Sequence, residues 1–140
     1  MNLFLKHFVF INLLILSANC HGKLSPEKRG TEAASTWVTL IDQEKYGDSW
    51  KTASRLFKNS LSSKAWSKQI APIRKKLGKL IRRSYKSATY YPKLPNAPAG
   101  KYVVVLFKVD FENQKNLTET ITPMLDADGV WRVSGYYIKK

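Results

Sequence analysis

Between Ser49 and Val109 the chain carries fifteen Lys or Arg and not one Asp or Glu. All ten acids lie in the flanks, from Glu27 to Asp48 and from Asp110 to Asp128. An unpaired charge is expensive to bury, so this middle third can fold only by turning its apolar residues inward and most of its cations toward water. The stretch Ala71–Arg83, APIRKKLGKLIRR, shows the pattern most sharply, with six cations in thirteen residues. At about 100° per residue, Trp66, Ile70, Ile73, Leu77, Leu80 and Ile81 fall in one arc. Lys64, Lys68, Lys75, Lys79, Arg82 and Lys86 fall opposite them. The spacing predicts an amphipathic helix capped by Ser62 or Ser63 and kinked or split at Pro72, with those six cations as a ridge along it. Gly78 costs about 1 kcal/mol relative to Ala inside a helix, which points to a close neighbour there.

The start of the chain, MNLFLKHFVFINLLILSANCHG, places Lys6 ahead of an apolar run from Phe8 to Leu16 and then small residues. That order is the one of a secretory signal peptide over residues 1–22, with cleavage after Ala18, Cys20 or Gly22. Export to the periplasm or the medium is the expectation, and a lipid anchor on Cys20 is the lesser alternative. Cys20 is the only cysteine, so no disulfide forms within the chain and the domain must be held by its core. Loss of Lys6 takes the formal charge from +14 to +13. A field of this sign steers anionic partners.

Residues 23–30, KLSPEKRG, read as a flexible leader, and residues 31–140 as one domain. Apolar residues at helical spacing predict a first helix over Thr31–Tyr46, ended by Gly47, and a second over Ser49–Asn59. After Lys86 the period becomes two. Ser87–Tyr91 reads as a short strand and Pro92–Gly100 as a loop with three prolines. Lys101–Glu112, Leu117–Leu125 and Val130–Lys139 read as strands, the middle one bulged at Pro123 and the last two joined by the turn Asp126–Gly129. About three N-terminal helices on a three- to four-stranded antiparallel meander make an α+β fold.

Four segments carry a resemblance. They are WVTLID…YGDSWKTAS with its LFK, W…IAPIRKKLGKLIRR, LPNAPAGKYVVVLFKVDF and TETITPMLDADGVWRVSGYYIKK. Over roughly Ala33–Lys139 the chain resembles a bacterial family of small exported proteins known as domain of unknown function 4019. Trp50, Trp66, Arg74, Gly78, Gly100, Glu119, Trp131, Arg132 and Gly135 occupy its pattern. The resemblance implies an exported bacterial protein with helices on a curved antiparallel sheet, and it brings no catalytic residue.

Several chemistries are excluded. The two histidines, His7 and His21, lie within residues 1–22, and the remainder has neither His nor Cys. Ser-His-Asp triads, Cys-His pairs and His-based zinc sites therefore cannot be built there. No phosphate-cradling or nucleophile-elbow glycine motif occurs. Asp126, Asp128 and Gly129 lack the other ligands of a calcium loop and read as a hairpin turn. No cofactor or metal is expected, and no enzymatic activity.

Glu119 is the acid that stands out, because it shares a strand side with Ile121 and Leu125. Facing the core, it needs a cation, and Arg74 or Arg132 would supply a bidentate fork. Trp37, Trp50, Trp66 and Trp131 are expected in the core. In Tyr90-Tyr91 and Tyr136-Tyr137 one ring of each pair must point away from the other across the sheet.

Two functional readings follow. In the first, the cationic ridge of an exported, non-enzymatic binding or adaptor protein faces an anionic envelope polymer, lipid headgroups or an acidic protein. In the second, the sheet encloses an apolar cavity lined by Phe107, Phe111, Trp131 and Tyr137, with Glu119 or Arg74 as polar anchor and Arg132 among the pocket residues. Nucleic acid suits the charge but not an exported chain.

Overall fold

The computed structural model describes residues 23–140. Residues 1–22, read above as a signal peptide, lie outside the described residues, Cys20 and His21 with them. Four helices precede four strands: α1 (Pro26–Asp42), α2 (Tyr46–Thr52), α3 (Arg55–Ser60), α4 (Ser63–Leu77), β1 (Leu80–Tyr91), β2 (Tyr102–Phe111), β3 (Leu117–Leu125) and β4 (Trp131–Lys139). The strands form one open antiparallel meander in the order β1-β2-β3-β4. The fold is α+β, with N-terminal helices on a meander sheet.

The residues expected as a leader instead open α1. Ser25 accepts a hydrogen bond from the Lys28 N–H, and Pro26 sits at the first helical position, where its missing N–H costs nothing. Gly30 lies directly on Val103, because a Cβ there would stand 2.6 Å from the valine Cβ. Ala34, Trp37, Val38 and Ile41 then carry the buried face of α1 across all four strands.

The single helix expected over Ser49–Asn59 is two. Ala53 adopts an extended conformation, and the Ser54 side chain accepts from the Phe57 N–H to start α3. The Ser54 N–H donates to the Val133 carbonyl at 2.8 Å, which ties this break to β4.

The largest departure lies in the acid-free segment. The helix does not run on to Lys86; it tolerates Pro72 and stops at Leu77. Gly78 has φ +78° and ψ −165°, a conformation open essentially to glycine alone. The turn after β2 closes the helix end. The Asn113 N–H donates to the Leu77 carbonyl and its side-chain amide to the Lys76 carbonyl, each at 3.0 Å, while Glu112 accepts the Lys79 N–H at 2.8 Å. From Leu80 the chain is strand, so β1 has twelve residues rather than the five expected.

Residues of β2 alternate as expected: Val103, Val105, Phe107, Val109 and Phe111 are all buried beneath the helices. The sheet bulges between Thr122 and Pro123, where proline cannot donate to the ladder. The four tryptophans pack as expected. Trp37, Trp66 and Trp131 are buried, and Trp50 lies against the core with its indole N–H on the Leu61 carbonyl. Trp37 and Trp66 both donate to Ser49, one to its carbonyl and one to its hydroxyl. With Phe57 and Tyr136 they form an aromatic cluster with ring centroids 5.0–6.2 Å apart. Tyr136 turns inward, and Tyr137 faces away from the helices at 52 % exposure.

Candidate functional site

Four charged side chains and one phenol form a closed ring between the helices and the sheet. Arg83, on β1, donates from Nε to Glu119 Oε2 at 2.6 Å and from Nη2 to Oε1 at 3.2 Å. Its outer nitrogens also reach Asp42, at the end of α1, at 2.6 and 3.0 Å. Arg74, on α4, donates to Asp42 at 2.9 Å and to the Tyr136 hydroxyl at 3.4 Å. Tyr136 completes the ring by donating to Glu119 Oε1 at 2.7 Å. The Arg74 guanidinium also stacks over Phe111, 4.7 Å from the ring centre.

Glu119 is fully buried and Arg74 nearly so, while Arg83 and Asp42 are partly exposed. The ring is electrically balanced, with two guanidiniums and two carboxylates, so its desolvation is met by paired charge and hydrogen bonds. Burial alone would raise the Asp42 pKa, but the hydrogen bonds and charge of Arg83 and Arg74 outweigh it and hold the carboxyl below its ordinary range. Burial, followed by the neighbouring Glu119 charge, pushes the Tyr136 phenol far up, so it stays a donor. The ring has no free nucleophile or base and ties five elements together.

The expected partner of Glu119 is therefore corrected. Arg83 holds it directly, and Arg74 approaches it only through Tyr136. Arg132 lies elsewhere, bridging Asp126 at 3.1 Å and Asp128 at 2.9 Å within the β3–β4 turn. That turn is also closed by the Gly129 N–H on the Asp126 carbonyl. No group of three or more metal-ligating side chains occurs among the described residues.

Phe107, Phe111 and Trp131 are packed in the core, whereas Tyr137 pairs with Thr120 on the opposite side of the sheet. These four side chains do not enclose a common cavity. The larger depressions lie outside the core. One of about 580 Å³ runs between α1 and the start of β4, lined by Trp37, Leu40, Val130 and Trp131 among others. Another, about 680 Å³, opens beside the ionic ring at Asp42, Arg74, Lys75 and Lys79.

The six cations expected on one helical ridge fall in three places. Lys64, Lys68 and Lys75 are exposed on α4, within about 40° of one another around its axis. Lys79 stands just past the glycine that ends the helix, and Arg82 and Lys86 are exposed on β1. Arg82 is paired with Asp110 at 2.8 Å, and the other five make no ion pair. The continuous ridge is thus interrupted at Gly78, because a positive φ turns the chain from helix to strand.

A wider division of labour was not visible in the sequence. Seventeen lysines occur between residues 23 and 140, and Lys51 alone among them makes an ion pair, with Asp48 at 3.6 Å. Four of the six arginines in the same span, Arg74, Arg82, Arg83 and Arg132, hold Asp42, Asp110, Glu119, Asp126 and Asp128. Arginines thus hold five of the ten acids, and sixteen of these seventeen lysines make no ion pair. No helix among the described residues is long and apolar enough to cross a membrane.

A family model described as a protein of unknown function (DUF4019) matches residues 33–136. No curated protein matches the chain.

Proposed function

The chain belongs to the DUF4019 family, and from its charge layout we propose that it is an exported, non-enzymatic binding or adaptor protein of the bacterial cell envelope. Its exposed lysines engage anionic partners: lipid headgroups, a phosphate-bearing polymer or an acidic protein. The observation that carries this reading is the set of sixteen lysines without an acidic partner among the described residues. Arginine suits bidentate carboxylate pairing, and here Arg74 and Arg83 serve the interior; lysine, a compact hydrated point charge, is left for the surface. On α4, Lys64, Lys68 and Lys75 form the most regular group, joined beyond the helix end by Lys79 and on β1 by Lys86. Like charges at i,i+4, as at Lys64 and Lys68, cost a few tenths of a kcal/mol, a cost that an anionic partner reverses. Residues 1–22 are the proposed export signal.

The test is sedimentation of the protein without residues 1–22 with phosphatidylglycerol-rich vesicles and with pure phosphatidylcholine vesicles over a range of salt. Binding to the anionic vesicles alone, weakening as salt rises, is expected. Equal partitioning to both at low salt removes the reading. So does unchanged binding after Lys64, Lys68 and Lys75 are replaced together by Gln.

A further inference from the structure

The two outer edges of the sheet, β1 on one side and β4 on the other, are finished differently. The Leu125 N–H donates to the Lys101 carbonyl at 2.9 Å, one pair beyond Tyr102 and Met124. Bonded pairs alternate along an antiparallel ladder, so this bond fixes the phase. Odd-numbered residues of β2 turn their backbone groups to β3, and even-numbered ones turn theirs to β1. Ser87, Thr89 and Tyr91, opposite Leu106, Val104 and Tyr102, therefore bond to β2. The N–H and C=O groups of Ala88 and Tyr90 point out of the sheet. The same phase carried through β3 turns Val133 outward on β4, and there the Ser54 N–H meets its carbonyl at 2.8 Å. Ser54 thus closes the β4 edge at that point. No loop or helix among the described residues hydrogen-bonds the outward groups of Ala88 and Tyr90.

Sheet edges are kept from pairing by charges, bulges and prolines. The first half of β1 has such devices, in Arg82, Lys86 and two register shifts. From Ser87 to Tyr91 it has none, and the register with β2 runs unbroken until Pro92 ends the strand. Lys86 and Lys93 bracket this stretch, both exposed and neither in an ion pair. Its two faces differ. On the helix side, Tyr85 borders a depression that also holds Glu27 and Glu32 of α1, and Ala88 and Tyr90 face the same side opposite Val105 and Val103. On the other face, Ser87 and Thr89 share the surface with Lys108, which is exposed and makes no ion pair.

We propose that Ser87–Tyr91 is a docking edge for an extended acidic segment of another protein, which adds as a fifth strand through main-chain hydrogen bonds to Ala88 and Tyr90. Its acidic side chains lie on the Lys108 face and toward Lys86 and Lys93. The alternate, apolar ones lie on the helix side, where the α1 acids exclude carboxylates. This deepens the anion-binding reading by naming one partner class and rests on it for the sign of that partner, but main-chain pairing is a separate requirement. Self-pairing is disfavoured, because it sets two strongly cationic chains side by side over a short stretch.

The experiment uses the protein without residues 1–22 and a short capped peptide alternating Glu with Val, read by fluorescence anisotropy at low salt and by hydrogen exchange. One counterpart has Pro in place of every Val, which keeps the charge and removes the pairing N–H groups. Another has Lys in place of every Glu. The Glu-Val peptide should bind, the Glu-Pro peptide roughly tenfold more weakly and the Lys-Val peptide not measurably. Bound Glu-Val peptide should slow exchange of the Tyr90 and Ala88 amides and leave that of Thr89, already bonded to β2, little changed. Ala88→Pro removes an outward N–H and no ladder bond, so it should keep the urea midpoint near that of the parent and weaken the Glu-Val peptide roughly tenfold. The docking edge is overturned if the Glu-Pro or Lys-Val peptide binds as tightly as the Glu-Val peptide, or if exchange at Ala88 and Tyr90 does not slow. It is equally overturned if light scattering shows a dimer that Ala88→Pro dissociates, which would assign the edge to a second copy. Sedimentation with phosphatidylglycerol-rich vesicles without peptide binding sinks this edge and leaves the broader reading standing. Peptide binding without sedimentation keeps the edge and sinks the role given to the lysines of α4.

Discussion

Arg83 and Glu119 meet in the protein interior through two hydrogen bonds, 2.6 and 3.2 Å long, that join the edge strand β1 to β3 across β2. Glu119 is fully buried, so its charge has no recourse to water. Replacing Arg83 with Met leaves that carboxylate with only the Tyr136 hydroxyl, and also strips one of the two guanidiniums from Asp42. Removing one member of a buried pair costs about 3–5 kcal/mol. Arg83→Met should therefore lower the free energy of urea unfolding by about that amount. Arg83→Met combined with Glu119→Leu should recover a large part of the loss, since the orphaned charge is gone. Additive losses in that cycle would mean that the pair is not coupled.

The same ring contributes to the acid side of the stability profile, alongside Asp110 and Asp128, whose hydrogen bonds also hold them below their ordinary range. Asp42 is held below its ordinary range because Arg83 and Arg74 outweigh the burial that would raise it. A carboxyl whose folded pKa is depressed contributes stability that is present above its unfolded pKa and lost as pH falls through the folded one. Stability should be nearly level from about pH 7 to pH 5 and fall below about pH 4. Asp42→Asn should be destabilised at neutral pH and lose less on acidification, so that its urea midpoint approaches that of the parent near pH 3. A constant gap between the two at every pH would show that Asp42 does not titrate in this window.

How far the sequence could reveal this arrangement depends on the element. The strands after Gly100 were legible because Val103, Val105, Phe107, Val109 and Phe111 alternate without interruption. Even the irregularity at Pro123 was legible, since proline has no N–H to give. Glu119 was recognisable as a buried acid, but its partner was not. Arg83 was hidden because β1 carries two register shifts, one between Leu80 and Arg82 and one between Tyr85 and Ser87. Each bulge inserts a residue and breaks the period of two, which leaves a pattern close to a helical one. Leu, Lys and Arg also favour helix, so local preference and apparent period agreed on the wrong element. The one contrary signal was Gly78. The sequence likewise could not show that Arg74, Arg82 and Arg83 would pair with Asp42, Asp110 and Glu119 while nearly all lysines go without, because those contacts join distant elements.

Gly78 is where the reading turns, and it supplies the third prediction. Its φ of +78° combined with ψ of −165° lies in a region essentially restricted to glycine, costing another residue about 1–3 kcal/mol. A Cβ there would also stand 2.7 Å from Glu112 Oε2 and 3.0 Å from the Glu112 Cβ, the side chain that accepts the Lys79 N–H. Gly78→Ala should lower stability by at least about 1–3 kcal/mol from the backbone alone. Hydrogen exchange should show the Lys79 and Asn113 amides opening first, because the displaced turn is what caps α4. A substitution without measurable cost would mean that the helix can run past Leu77.

The lysines of α4 give a prediction in which stability and binding move in opposite directions. The first turn of this helix holds no acid, although four backbone N–H groups and the positive end of the helix dipole favour one. Lys64 is in that turn and exposed, with Lys68 one turn on. Lys64→Glu would remove a repulsion, place a carboxylate at the favourable end and create a Glu-to-Lys i,i+4 pair in the better orientation. The dipole contributes about 0.3–1 kcal/mol and the pair about 0.2–0.5 kcal/mol. The variant should thus unfold at a higher urea concentration than the parent and sediment less with phosphatidylglycerol-rich vesicles at low salt. A lysine there that served only to keep the chain soluble would let the first change occur without the second. The proposed role requires both in the same protein, since the helix forgoes that stability to present a cation.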